Sequence, residues 1–300
     1  MRWKTPDDYK DESLQNSCEY EIRCEIGCTE TFFNSGFLKN SVWDRYAEYK
    51  LLCKECPHYT HNIGIYFGNG HTTDNIQEKD TVWCRCKIKS REELQEALSF
   101  FPKNTKAIFF DDIRMDSLNE LEAFPDLECV LIGYAQKLIH FWDFPKTPKF
   151  KVLEYVANTH LTDLSELAHA KSLEYFGIEA PVSRVNLTYV DSFAPLKRIP
   201  SLKEVSLSSV MCTDNNIDNL IDIPNLEKLW ISPHTFSTED FAKFEARKFK
   251  IYEEYGIYQN SDDYVRPLGK GGRCFRSDTA KEKFSQEYQQ MLLKYKNANT

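Results

Sequence analysis

One short phrase recurs along this chain: "PDLECVLIG" from Pro125, "KSLEYFGIE" from Lys171, "PSLKEVSLS" from Pro200 and "PNLEKLWIS" from Pro224. With the opening apolar residue as position 1, copies begin at Thr105, Leu127, Phe150, Leu173, Leu202, Leu226 and Phe249. The spacing is about 23 residues, with one longer step of about 29 near "APVSRVN". Position 4 reads Ile108, Val130, Leu153, Phe176, Val205, Leu229 and Tyr252. Position 6 reads Phe110, Ile132, Tyr155, Ile178, Leu207 and Ile231, and turns polar at Glu254 in the last copy. Apolar residues two apart predict a short strand with one buried face. Between strands lie second apolar groups such as "SLNELEAFP", "LTDLSELAHA" and "IDNLIDIP", read as helical or irregular turns facing inward. A strand and its return segment cannot bury their apolar sides alone, so the units must stack.

Position 2 tests the register. It reads Lys106, Glu128, Lys151, Glu174, Lys203, Glu227 and Lys250, a strict alternation of sign. Adjacent strands lie about 4.8 Å apart, so in-register copies set opposite charges side by side. Each such pair contributes roughly 0.2–1 kcal/mol.

The strand phrase and the "DLS-x-L" turn in "LTDLSELAHAKSLEYFGI" resemble the leucine-rich repeat family, in its irregular bacterial form, over about residues 104–255. The Asn usual a few residues after the strand is missing; Gly133, Glu179, Ser208 and Ser232 lie near its place. The reading is thus an α/β chain: a leucine-rich-repeat solenoid with a parallel concave sheet over 90–255. A small α+β module precedes it over 1–89, and a loop with a C-terminal capping helix closes it over 256–300. In the front module, "YEIRCEIGC" and "TVWCRCKIK" read as strands and "SVWDRYAEYKLLCKEC" as a helix, and "SREELQEALSFFP" is a capped helix leading into the repeat. At the other end Phe284, Tyr288, Met291, Leu292 and Tyr295 make one helical stripe.

No enzyme signature stands out. "CKECPHYTH" brings Cys53, Cys56, His58 and His61 close together, a cluster that could hold a metal but lacks a distant second pair; no metal or cofactor is expected. Cys84 and Cys86 sit among apolar strand residues, where a thiol behaves as a small core side chain. "GKGGR" at 269–273 lacks phosphate-loop spacing and reads as a basic loop. Asp111–Asp112 reads as a solvated turn, and His160 with Asp163 has no nucleophile beside it.

A formal charge of −8 argues against a nucleic-acid partner. The opening residues lack the apolar run of a secretory signal, and no stretch approaches the roughly 18 apolar residues that span a bilayer. The ten cysteines are therefore expected reduced in a cytoplasmic protein without membrane contact.

With positions 4 and 6 inside, positions 3, 5 and 7 are expected on the concave face. There Phe109, Leu131, Tyr175 and Trp230 would serve as anchors beside Asp111, Glu154, Glu179, Glu204 and Lys228. The expected function is non-enzymatic binding of another protein. The family resemblance implies that this could be a toxin or effector, in an immunity-type role. The alternative is a metal-binding or catalytic N-terminal module, with the solenoid recruiting its substrate.

Overall fold

The computed structural model describes residues 63–72, 75–156, 160–179, 188–259 and 265–298. The elements expected at 20–28 and 41–57 lie outside them, as do Cys53, Cys56, His58, His61 and the longer unit's "PVSRVN". The chain divides into two units, 1–161 with 181–184, and 162–180 with 185–300. The architecture is mixed α/β, with parallel strands dominant and a long C-terminal helix.

The first unit contains β1 (Ile63–Gly68), β2 (His71–Thr72), β3 (Thr81–Ile88), α1 (Arg91–Ser99), β4 (Ala107–Ile113), β5 (Cys129–Ile132) and β6 (Val152–Val156). Their order is β2-β1-β3-β4-β5-β6, parallel throughout except for the β1–β2 hairpin. That hairpin turns through Gly68, Asn69 and Gly70, all at positive φ, a run few other residues tolerate. Ser90 caps α1 by accepting from the Glu93 amide, as the sequence predicts.

Register follows the phrase. Ala107, Cys129 and Val152 share one row, and Ile108, Val130 and Leu153 the next. The row continues upstream to Thr81 and Val82, so β3 is a further copy with Asp80 at position 2. The sequence reading began the repeat later because position 1 of that copy is Lys79, not an apolar residue.

The second unit contains β7 (Tyr175–Glu179), β8 (Thr188–Val190), β9 (Glu204–Ser208), β10 (Val210–Cys212), α2 (Asp218–Ile221), β11 (Lys228–Ile231), α3 (Thr238–Arg247), β12 (Ile257–Gln259), β13 (Val265–Pro267) and α4 (Asp278–Asn297). Strands β7, β9 and β11 run parallel, with Tyr175, Glu204 and Lys228 in one row. Ser209, at φ 56, redirects the chain from β9 into β10, which pairs in parallel with β8. The last copy forms no strand. Its Phe249 ring stands edge-on to Phe244 at 5.3 Å, and the Tyr252 hydroxyl donates to the Ile231 carbonyl.

Two recurrent devices build both units. In the first, the carbonyl at position 2 accepts from two successive amides of the next strand. Asp80 O takes Lys106 N and Ala107 N at 2.6 and 3.2 Å, and Glu128 O takes Lys151 N and Val152 N at 2.8 and 3.0 Å. Glu174 and Lys203 repeat the fork toward Lys203–Glu204 and Glu227–Lys228. The charged side chains above it pair as Asp80–Lys106 at 3.3 Å, Glu128–Lys151 at 2.8 Å and Glu174–Lys203 at 3.0 Å.

In the second, return segments place an apolar side chain every third residue. Leu118, Leu121, Phe124 and Leu127 are all buried, as are Leu164, Leu167, Ala170 and Leu173, then Phe193, Leu196, Ile199 and Leu202. From the second member on, each amide in these series bonds the carbonyl three residues back, the 3₁₀ pattern, in which side chains three apart stack on one face. Position 1 of the following strand ends every series. In the segment after β5 the series is Phe141, Phe144, Thr147 and Phe150; Trp142 packs on Phe144 and Phe150, and its Nε1 donates to Thr147 Oγ1 at 2.9 Å.

Ser277 caps α4, whose Tyr288 and Leu292 are buried and whose expected stripe packs toward α3. The junction closes on Glu245 of α3. Its carboxylate accepts from Ile251 N at 2.9 Å, Gly256 N at 3.2 Å and Tyr288 Oη at 2.8 Å. Gly256 has φ +72, and a Cβ there would stand 2.5 Å from the Tyr288 ring. Burial raises the Glu245 pKa above its ordinary value, against the lowering effect of those donors.

Two outcomes follow from this construction. A double-mutant cycle of Glu128→Ala and Lys151→Ala, read by urea unfolding, should give a coupling of about 0.2–1 kcal/mol that shrinks in high salt. Glu245 holds its proton more tightly in the folded state, so its stabilising contribution is fully present below the ordinary carboxylate pKa. That contribution is lost as pH rises through the raised value. Unfolding curves over a pH series should show this decline in the wild type and lack it in Glu245→Gln.

Candidate functional site

Strand alternation puts positions 3, 5 and 7 opposite the core residues at 4 and 6, and the question is which of them water reaches. In the first unit it reaches none of the four candidates. Phe109, Asp111, Leu131 and Glu154 are all buried, contrary to the expected exposed row. Parallel strands are commonly covered on both faces, and β4 is buried at every residue.

This buried face carries polar groups of its own. Trp83 Nε1 donates to Asp111 Oδ1 at 2.7 Å, and the Arg85 guanidinium lies 4.2 Å over the Trp83 ring. Asp112 takes Lys87 Nζ at 3.0 Å and Arg114 Nε at 3.6 Å. Asp111–Asp112 is therefore not a solvated turn. It lies inside β4, and neighbouring strands bring a donor or cation to each carboxylate. Sequence reasoning missed Trp83 and Arg85 as partners because it set β3 apart from the repeat; the acidic Asp80 at position 2 was the available signal.

In the second unit the candidates divide. Tyr175 and Glu204 are fully buried, Glu179 is half-buried, and Lys228 and Trp230 are exposed, Trp230 at 44%. Tyr175 thus belongs to the interior, contrary to its expected role as a surface anchor. Lys228 Nζ stands 3.6 Å from Glu204 Oε1 and 5.8 Å from the Trp230 ring centre. The buried carboxylate thereby orients an exposed ammonium beside an exposed indole. Half-buried Ser206 and Ser208 on β9 lie next to them. Among the described residues no strand pairs with β11 on the side away from β9.

The other candidates acquire structural roles. Cys84 and Cys86 have Sγ atoms 3.4 Å apart; burial first, then the Cys86 contact, push the Cys84 thiol up and away from the reactive thiolate. Burial, aided by Asp214, raises Cys212 to about 12. The amides of Gly269, Lys270 and Gly272 donate to the carbonyls of Pro233, Phe236 and Gly269, so those amides are already engaged. Lys270 Nζ reaches Asn215 Oδ1 at 2.6 Å. Asp163 accepts from the Ser165 amide and hydroxyl at 2.8 and 3.0 Å. Among the described residues no three His, Cys, Asp or Glu side chains gather as metal ligands, and no helix is long and apolar enough to cross a membrane.

Neither a known protein family nor a curated protein matches the chain. Among solved structures, an internalin from Listeria monocytogenes overlays with a TM-score of 0.34 at 14% identity, over 63% of this chain and 64% of that one. The chain covers less than two thirds of the internalin, and a likeness of that size carries no inference about fold or function.

Tyr175→Ala removes a fully buried ring and should cost about 3–5 kcal/mol in urea unfolding, as large aromatic truncations in a core do. A change under about 1 kcal/mol would place the ring at a surface.

Proposed function

We propose that this chain is a non-enzymatic protein-interaction module of the leucine-rich-repeat kind. It docks a partner protein on the end of the second unit's sheet, around Trp230 and Lys228. One observation carries the reading: Trp230 is exposed on the last strand of its sheet, beside an ammonium steadied by a buried carboxylate. A Trp on a rigid strand buries a large area at little ordering cost, and Trp is enriched among residues that dominate binding energy. The strand phrase, its in-register pairing and the three-residue return series all support stacked repeats as the scaffold. Glu179 and the serines of β9 would form the polar rim. The finer role, a cytosolic bacterial partner of a toxin or effector in an immunity-type pair, rests on the sequence resemblance alone.

The test is affinity capture from native lysate, then titration of the captured protein against purified variants. Trp230→Ala should weaken binding by about 30-fold, the equivalent of about 2 kcal/mol, with the thermal midpoint close to wild type. Unchanged affinity would remove Trp230 from the interface; loss of folding would move it into the core.

A further inference from the structure

A second surface, in the first unit, has a different chemistry. The loops that follow β3, β4 and β5, together with His160, enclose an open groove of about 580 Å³. Successive parallel strands deliver one loop each, so the lining residues are strung across the strand ends about 4.8 Å apart and do not converge on a point. Lys89 comes from the first loop and Arg91 from the start of α1 behind it, Arg114 and Met115 from the second loop, Lys137 and Ile139 from the third. Four cations face one lining carboxylate, Asp116, in a chain whose net charge is −8.

Part of that charge is neutralised in place. Arg91 binds Glu120 at 2.5 Å and Asp116 at 3.2 Å, Arg114 binds Asp112 at 3.6 Å, and Glu93 is turned onto the Lys89 amide at 2.7 Å. The excess lies on the side chains of Lys89 and Lys137. Both are exposed, and among the described residues neither has a carboxylate within ion-pairing distance. Met115 and Ile139 add apolar lining, Met115 buried and Ile139 47% exposed.

We infer that this groove binds an extended acidic peptide segment of a partner protein, with its carboxylates on Lys89 and Lys137 and an apolar side chain against Ile139. Three features favour a peptide over a nucleic-acid strand. The cations are two separated ammonium groups, not a continuous basic track; the surrounding protein is acidic; and the exposed Ile139 gains cover only from an apolar group. Lys89 and Lys137 follow strands two spacings apart, about 9.6 Å. In an extended peptide, side chains at i, i+2 and i+4 share one face over about 13 Å, so two carboxylates can flank an apolar group within reach of the long lysine side chains. The site is separate from Trp230 and does not depend on the reading of that patch.

Fluorescence anisotropy of the full chain with a labelled decapeptide repeating Glu-Ser-Leu-Ser, which puts Glu and Leu on one face of the extended chain, tests this. Saturable binding is expected, weakening about tenfold between 50 and 300 mM NaCl. The Lys89→Glu/Lys137→Glu double variant should bind at least about tenfold more weakly while melting at the wild-type temperature, and Ile139→Ser should weaken binding with its salt slope unchanged. A Lys/Leu decapeptide should not bind. No binding of the acidic peptide, or undiminished binding by the double variant, would overturn the proposal. So would equal or tighter binding of a ten-nucleotide single strand, which would make the groove a polyphosphate site. A melting shift in the double variant is controlled by Lys89→Gln/Lys137→Gln, which must also lose affinity.

Discussion

The forked carbonyl at position 2 is the constraint on which the rest depends. It commits two successive amides of the next strand to one acceptor, and so fixes where each strand begins relative to the one before. A slip by one residue would break both bonds and turn every side chain to the opposite face. The alternating charges at the same position act on top of that fork. They are partly exposed, so each contributes modestly, but all favour the same register. The 3₁₀ return series then delivers position 1 of each strand on the same buried face as the turns before it. Register, turn and core are one mechanism repeated.

That mechanism also decides where function can reside. Strands held parallel and covered on both faces leave few side chains on the sheet for a partner. In the first unit the face opposite the apolar core holds Trp83, Asp111 and Arg85 buried together, the indole donating to the carboxylate and carrying the guanidinium over its ring. What remains for binding is at the periphery: the last strand of the second unit, and the loops at the strand ends of the first.

The closing helix shows the same economy. Glu245 collects two backbone amides and a tyrosine hydroxyl from segments that follow it, beside the last copy, which forms no strand. The last copy keeps its apolar position 4 but carries Glu254 at position 6, and one inward side chain is too little to seat a strand.

The sequence by itself determined β4 to β7, β9 and β11, their parallel register, the return turns, α1 and α4. Local period and charge alternation encode these directly, and rows such as Ala107–Cys129–Val152 match the phrase position by position. The sequence did not determine β8, β10 or α3, and the segment expected as a loop after 255 holds the β12–β13 hairpin. Tertiary structure alone decided exposure. Phe109, Leu131 and Trp230 share position 5, and Tyr175 stands on the same face at position 3, yet three are interior and one faces water, because accessibility depends on what lies across the sheet. It alone also assembled the Lys89–Lys137 groove. Its residues lie in the connections after consecutive strands of the first unit, and only the stacking of strands turns that distance along the chain into neighbourhood in space.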